Sequence, residues 1–221
     1  MKIFCAEYPL LSGRDAGSSG PVVTRLFMRG DSALSNSGKT LARPWWIERL
    51  SAVPVLAVRV GRVGKHFSTG DARKYYREGA VGVSFAGADF FREVSASGGD
   101  PSAAYNFDGA LHLSPFFPME ECPPVLHLFR YRSGERLHEE IPVSVRPEEI
   151  DALLSEISAY YLLKMGDMVT IPLVDAFEEV TADERRVYED EEGRGLLNLG
   201  IRLFRGNFKS LLDSPFSGDE E

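Results

Sequence analysis

Several groups of side chains in this sequence could do chemistry, and each can be weighed against what that chemistry demands. Ser37-Gly38-Lys39-Thr40 looks like the end of a phosphate-binding loop. Such a loop wraps backbone N–H groups around phosphates and then feeds a helix, which needs a glycine five positions before Gly38. That position is Ala33, and Pro44 interrupts any helix after Thr40, so a surface turn is expected. The four histidines, His66, His112, His127 and His138, include no pair at the i, i+4 spacing that sets two imidazoles on one helix face. No histidine-based metal site is therefore expected. Cys5 and Cys122 form no Cys-x-x-Cys pair and read as small buried hydrophobes in a reducing compartment. Between Asp175 and Glu192 nine acids stand against Arg185 and Arg186, without the alternating ligands and central glycine of a calcium loop. That run is expected to be a solvated, flexible face. Arg29-Gly30-Asp31 reads as a turn after a strand.

The elements that must position these residues are mostly short strands. Lys2 to Ala6, Val22 to Met28, Leu56 to Val63, Val125 to Tyr131, Glu139 to Val145, Asp167 to Val174 and Leu196 to Phe204 carry the apolar alternation or β-branched content of strands. Ser68 and Asp71 have capping-box spacing, which predicts a helix over Ala72 to Glu78 ended by Gly79. The strongest helix signal starts at Pro147. Glu148 and Glu149 suit its positive end, and Ile150, Leu153, Leu154 and Ile157 share one face. Many strands with few helices predict an α+β, mainly β fold built on an antiparallel or mixed sheet.

The 221 residues carry a net charge of -8, with 43% hydrophobic and 26% charged side chains. A chain of this length buries about 70% of its surface on folding, enough for one sizeable core. Acidity without clustered Lys and Arg disfavours nucleic acid and anionic membranes. No apolar run approaches the roughly 20 residues of a membrane span, and a cytoplasmic location is expected.

Taken in order, several segments resemble the fumarylacetoacetate hydrolase family. Met1-Lys2-Ile3-Phe4 resembles its opening strand, and Leu26 to Leu34 is similar to its Phe-x-Lys-Pro-x-Ser-Ala-Leu motif. Tyr105-Asn106-Phe107-Asp108 followed by Ser114-Pro115 resembles its Lys-x-Phe-Asp and Gly-Pro. Ser133-Gly134-Glu135 resembles its Asn-Gly-Glu hairpin, and Ser158 through Leu163-Lys164-Met165-Gly166-Asp167 its Ser…Leu-x-Pro-Gly-Asp. The collinear set covers residues 1–204 as one domain, with 205–221 an acidic tail.

The resemblance implies a mixed β-roll or sandwich with few helices, a homodimer, and a Mg²⁺ or Mn²⁺ site used to hydrolyse, decarboxylate or isomerise oxo-acids. It also implies that the site is degenerate here. Val53 and Val55 fall at the two metal-binding glutamates and Phe85 at the aspartate. Tyr105 replaces a pocket lysine, Leu11 and Arg14 replace the His and Glu of a water-activating lid, and Ile171-Pro172-Leu173-Val174 replaces Thr-Gly-Thr-Pro. Valine and phenylalanine offer no oxygen to a hard cation, and leucine can carry no proton. No metal, no cofactor and no catalytic residue are therefore expected. Phe107, Asp108, Gly134, Ser158, Gly166 and Asp167 remain as scaffold, and Gly166-Asp167 reads as a turn into a strand.

The expected pocket lining is Arg14, Arg29, Phe85, Tyr105 and Asp108. Arg29 stands at the motif lysine and Arg14 at the lid acid, so the two either form a small anion site with planar donors or simply reach solvent. The leading reading is a non-catalytic protein that binds a small carboxylic acid or a partner subunit, itself included. The alternative is an oxo-acid hydrolase, decarboxylase or isomerase with a divalent metal, in which either the motif register is shifted by a few residues or Asp89, Glu93 and Asp108 assemble a replacement site.

Overall fold

The computed structural model describes residues 1–6, 26–175 and 177–203. In chain order the strands are β1 (Ile3–Cys5), β2 (Phe27–Arg29), β3 (Leu34–Asn36), β4 (Thr40–Ala42) and β5 (Ser51–Val60). Helix α1 (Thr69–Ala72) precedes β6 (Tyr76–Ala86), and α2 (Ala88–Ala96) follows it. Then come β7 (Leu111–Leu113), β8 (Phe117–Pro118), β9 (Val125–Arg132), β10 (Glu135–Pro142) and helix α3 (Pro147–Tyr160). The last strands among the described residues are β11 (Met168–Pro172), β12 (Glu178–Glu179), β13 (Glu184–Glu189) and β14 (Gly195–Arg202). No helix among the described residues is long and apolar enough to cross a membrane.

The strands form two mixed sheets. The larger runs β2-β1-β11-β5-β6-β7-β3, with β12 pairing β5 and β8 pairing β6, and the smaller runs β10-β9-β13-β14-β4. The antiparallel pair β5 and β6 is the spine of the larger sheet, and both of its faces are buried. On one face Ala52, Leu56 and Val58 of β5 join Val81, Val83 and Phe85 of β6 in the main core. The small sheet closes over that core with Leu126, Leu128, Ile141, Tyr188, Leu197, Leu199 and Ile201, and α3 adds Ile150, Leu154 and Ile157. On the other face Val53, Val55 and Ala57 join Ala80 and Ala86 in a second apolar cluster. Each fully buried aliphatic side chain contributes roughly 1.5–3 kcal/mol.

Helix α3 starts where the sequence predicts, with Pro147 in its first turn and the Glu149 carboxylate accepting from the Arg146 backbone N–H at 2.9 Å. The β9–β10 hairpin turns on Ser133 (φ 49°) and Gly134 (φ 87°), the two left-handed residues of a type I′ turn. Ser37-Gly38 is a turn, as expected, with Gly38 at φ +86°. Phe27 and Met28 extend to Arg29 as a strand, while 22–25 lie outside the described residues.

Three expectations fail for physical reasons. The strand predicted over Leu56 to Val63 is Ser51–Val60, and its burial on both faces replaces the half-exposed alternation. The helix predicted over Ala72 to Glu78 is one short turn. Ser68 does bond Asp71, at 2.8 Å, but Tyr76 onward pairs with β5 along its length, and an isolated four-residue helix cannot compete with that ladder. The acidic run is not a flexible face either. It holds β13, paired on both sides, with Glu184 and Arg186 pointing inward.

Burying those charges requires partners. Arg186 is 1% exposed and bonds Glu184 at 2.6 Å, and Glu184 also bonds Arg132 at 2.9 Å. Glu178 meets Arg130 at 2.6 Å and forms an ion pair with Arg186 at 3.0 Å that is too bent to count as a hydrogen bond. Arg130 also pairs with Glu139.

Candidate functional site

Val53 and Val55 lie on one face of β5, directly across the ladder from Ser84 and Gly82 of β6. Gly82 is needed there because a Cβ would come within 2.4 Å of the His112 carbonyl on β7. Around the valines stand Ile3, Cys5, Leu111, Leu113 and Met168. Phe27, Phe91 and Tyr105 close the cluster, with Phe27 5.8 Å from Phe91 and 4.9 Å from Tyr105, ring centre to ring centre. Val53 is 1% exposed and Val55 0%, so both side chains are packed against their neighbours and shut off from solvent.

This lining does not fit a hard divalent cation, which takes six or more oxygen ligands. The two positions that the sequence resemblance sets at metal-binding glutamates are hydrocarbon. Phe85 does not line the hollow at all, because the two-residue period of β6 turns it to the opposite face, where it packs edge-on against His112 at 5.9 Å. Asp89, Glu93 and Asp108 do not assemble a replacement. Asp89 accepts from the Arg49 backbone N–H at 3.1 Å, and Glu93 and Asp108 are exposed. Among the described residues only His127, His138 and Glu140 bring three ligand atoms within 4.8 Å of one another.

Arg29 is 2% exposed and does not reach solvent. Its fork donates to the backbone carbonyls of Ala110 and Phe85, each at 2.9 Å, tying β2 to the end of β6. Its Nε has no hydrogen-bond partner, and no carboxylate pairs with it among the described residues. Tyr105 sits close to this guanidinium. Burial and the Asp100 charge raise its pKa, Arg29 opposes them, and the phenol stays neutral. Val53, Val55, Arg29 and Tyr105 are thus brought to one region, Phe85 and Asp108 are not, and Leu11 and Arg14 lie outside the described residues.

The remaining candidates are structural. Gly166 (φ +86°) turns the chain into β11, and Asp167 accepts from the backbone N–H of Lys2 and Lys164 and pairs with the Lys2 ammonium at 2.6 Å. Burial would raise the Asp167 pKa, but these donors outweigh it and hold the carboxyl below its ordinary value. Cys5 is a buried hydrophobe, and burial pushes the half-buried Cys122 thiol up to about 11, far from a reactive thiolate. His112 is 1% exposed, and burial, partly offset by the Gly109 backbone, draws it down to about 4.

Comparison with known proteins bears on the fold. The family model described as fumarylacetoacetate (FAA) hydrolase C-terminal matches residues 11–171. No curated protein matches the chain. Among solved structures, fumarylpyruvate hydrolase from Pseudomonas aeruginosa, in complex with Mn²⁺ and pyruvate, is 18% identical, covers 92% of this chain and 90% of its own, and has a TM-score of 0.70. The 5-carboxymethyl-2-hydroxymuconate delta-isomerase of Mycobacterium smegmatis is 17% identical, with 93% and 80% covered and a TM-score of 0.70. The 2-hydroxyhepta-2,4-diene-1,7-dioate isomerase of Mycobacterium marinum is 17% identical, with 93% and 75% covered and a TM-score of 0.69. The expected mainly β architecture is the one these structures share.

Proposed function

Since the chain belongs to the fumarylacetoacetate hydrolase family, we propose that it keeps the family fold without the divalent-metal chemistry and works as a metal-independent binding or partner protein. One observation carries this reading: Val53 and Val55 stand side by side at 1% and 0% exposure, sealed by hydrocarbon where a cation would need carboxylates. A Lewis acid that polarises a carbonyl or enolate oxygen supplies several kcal/mol of transition-state stabilisation, and these side chains have no means of holding one.

Arg29 brings a charge to the region, beside the buried hydroxyl residues Ser84, opposite Val53, and Thr170, opposite Ala57. Among the described residues no carboxylate pairs with this buried guanidinium, which favours an anion, and its unbonded Nε and the neighbouring neutral Tyr105 phenol are donors suited to a small carboxylic acid. The partner role follows the same logic: a homodimer, or a complex with an active relative, uses the scaffold and not the chemistry.

Calorimetric titration with Mg²⁺, combined with turnover assays on acylpyruvates and oxaloacetate, tests the proposal. No saturable Mg²⁺ binding and no metal-dependent turnover are expected. Micromolar Mg²⁺ binding with metal-dependent oxo-acid cleavage or isomerisation would replace this reading with that of an oxo-acid enzyme. For the ligand itself, pyruvate and longer oxo-acids are expected to raise the melting temperature of the wild type and not of Arg29→Lys, which cannot present the same planar fork.

A further inference from the structure

The outer face of the small sheet carries a side-chain group that the cleft does not use. Strand β9 lies between β10 and β13, and His127 stands directly opposite Glu140 on β10 and Glu189 on β13. His138, two residues before Glu140, shares their face. Its Nε2 lies 3.1 Å from the His127 Nδ1, and the Glu140 carboxylate lies 3.8 Å from the same nitrogen. The His138 ring is oriented by stacking on Phe129, its cross-strand partner, at 4.7 Å and 17°. Arg136 lies over the Phe129 ring at 4.1 Å.

We propose that His127, His138 and Glu140 bind one divalent transition metal of the zinc class, with Glu189 or water completing the shell. Zinc-to-imidazole bonds of about 2.0–2.1 Å at a tetrahedral angle set two ligating nitrogens about 3.3 Å apart. The nitrogens here are within a few tenths of an ångström of that separation before any metal arrives. Glu140 is exposed and can close its remaining gap by a change of rotamer. Imidazole nitrogen selects Zn²⁺, Ni²⁺ or Cu²⁺ over the hard Mg²⁺, so this site is distinct in chemistry as well as place from the family's oxygen-only cleft.

The site has a physical task. β10 is an edge strand in which only Ile141 is buried, so little apolar packing holds it on β9. A metal bridging His127 on β9 with His138 and Glu140 on β10 clips that edge in register.

The test uses the full chain, stripped with a chelator and titrated with Co²⁺ and then Zn²⁺. One Co²⁺ per chain is expected to bind with a visible d–d band of low coordination number, and Zn²⁺ is expected to bleach it and raise the melting temperature. His127→Gln and His138→Gln should each weaken Co²⁺ binding by roughly tenfold or more, the order seen when a metal's ligand set is disturbed. Both metal-free variants should melt within a few degrees of the metal-free wild type, which shows that they fold. Absence of saturable binding at one equivalent overturns the proposal and leaves two histidines sharing a proton. Binding that survives in both variants overturns it equally.

Discussion

Arg29, His112 and Asp167 show how single side chains carry chemistry inside this scaffold. Arg29→Met would strand two backbone carbonyls at the junction of β2 and β6, and a loss of about 3 kcal/mol in urea unfolding is expected. His112 gives the protein an acid-sensitive stability. Its folded pKa is depressed to about 4 from 6.5, so between those values the unfolded chain takes up a proton that the native state refuses. Stability is therefore full above pH 6.5 and falls by roughly 3 kcal/mol as pH drops to 4, at about 1.4 kcal/mol for each unit of pKa difference. His112→Leu should flatten the urea midpoint across that window, whatever its effect on absolute stability. Asp167, also depressed, adds a second loss below the ordinary carboxylate range, and Asp167→Asn is expected to cost about 2–3 kcal/mol at neutral pH.

At the scale of elements, β13 and α3 make contrasting predictions. Leu154→Ala in α3 removes a fully buried side chain from the main core, and should cost about 2–5 kcal/mol. Arg186→Met in β13 leaves Glu184 buried with Arg132 alone, and should cost about 3–5 kcal/mol. Adding Glu184→Leu to Arg186→Met should recover part of that loss, and a double-mutant cycle measures the coupling. These two elements also mark what local sequence can convey. The helix was legible because Pro147, Glu149 and the Ile150-Leu154-Ile157 stripe all act within a few residues. β13 was not, because Glu184 and Arg186 look solvated until Arg130, Arg132 and Glu178 arrive from elsewhere in the fold. β6 was misread for the same reason: its ladder to β5 is a tertiary contact. The histidine pair was missed by a template of helical spacing, although counting outward from the Ser133-Gly134 turn sets Glu140 across from His127.

Across the whole molecule, the larger sheet is buried on both sides, and that decides how much of the candidate site could be read. The two valines were assigned to one site because collinear motifs set their register on β5, and the structure places both in the second apolar cluster. Phe85 was assigned to the same hollow because sequence order does not say which face of β6 a residue occupies. The prediction at this scale concerns the cluster as a unit. Val55→Glu introduces one carboxylate into a buried apolar layer, and a loss of several kcal/mol with a strongly raised carboxyl pKa is expected, measurable as a pH-dependent unfolding midpoint.

That packing also constrains which sequences are neighbours of this one. A carboxylate at position 53 or 55 is tolerable only alongside other acids and the ion that neutralises them, yet each acid added singly meets valine, leucine and aromatic rings. Step-by-step substitution towards a cation-holding cleft therefore crosses a valley of poorly folding intermediates. The hydrocarbon floor acts as a ratchet, and descendants of this chain are freer to elaborate its outer surfaces than to refill its centre with charge.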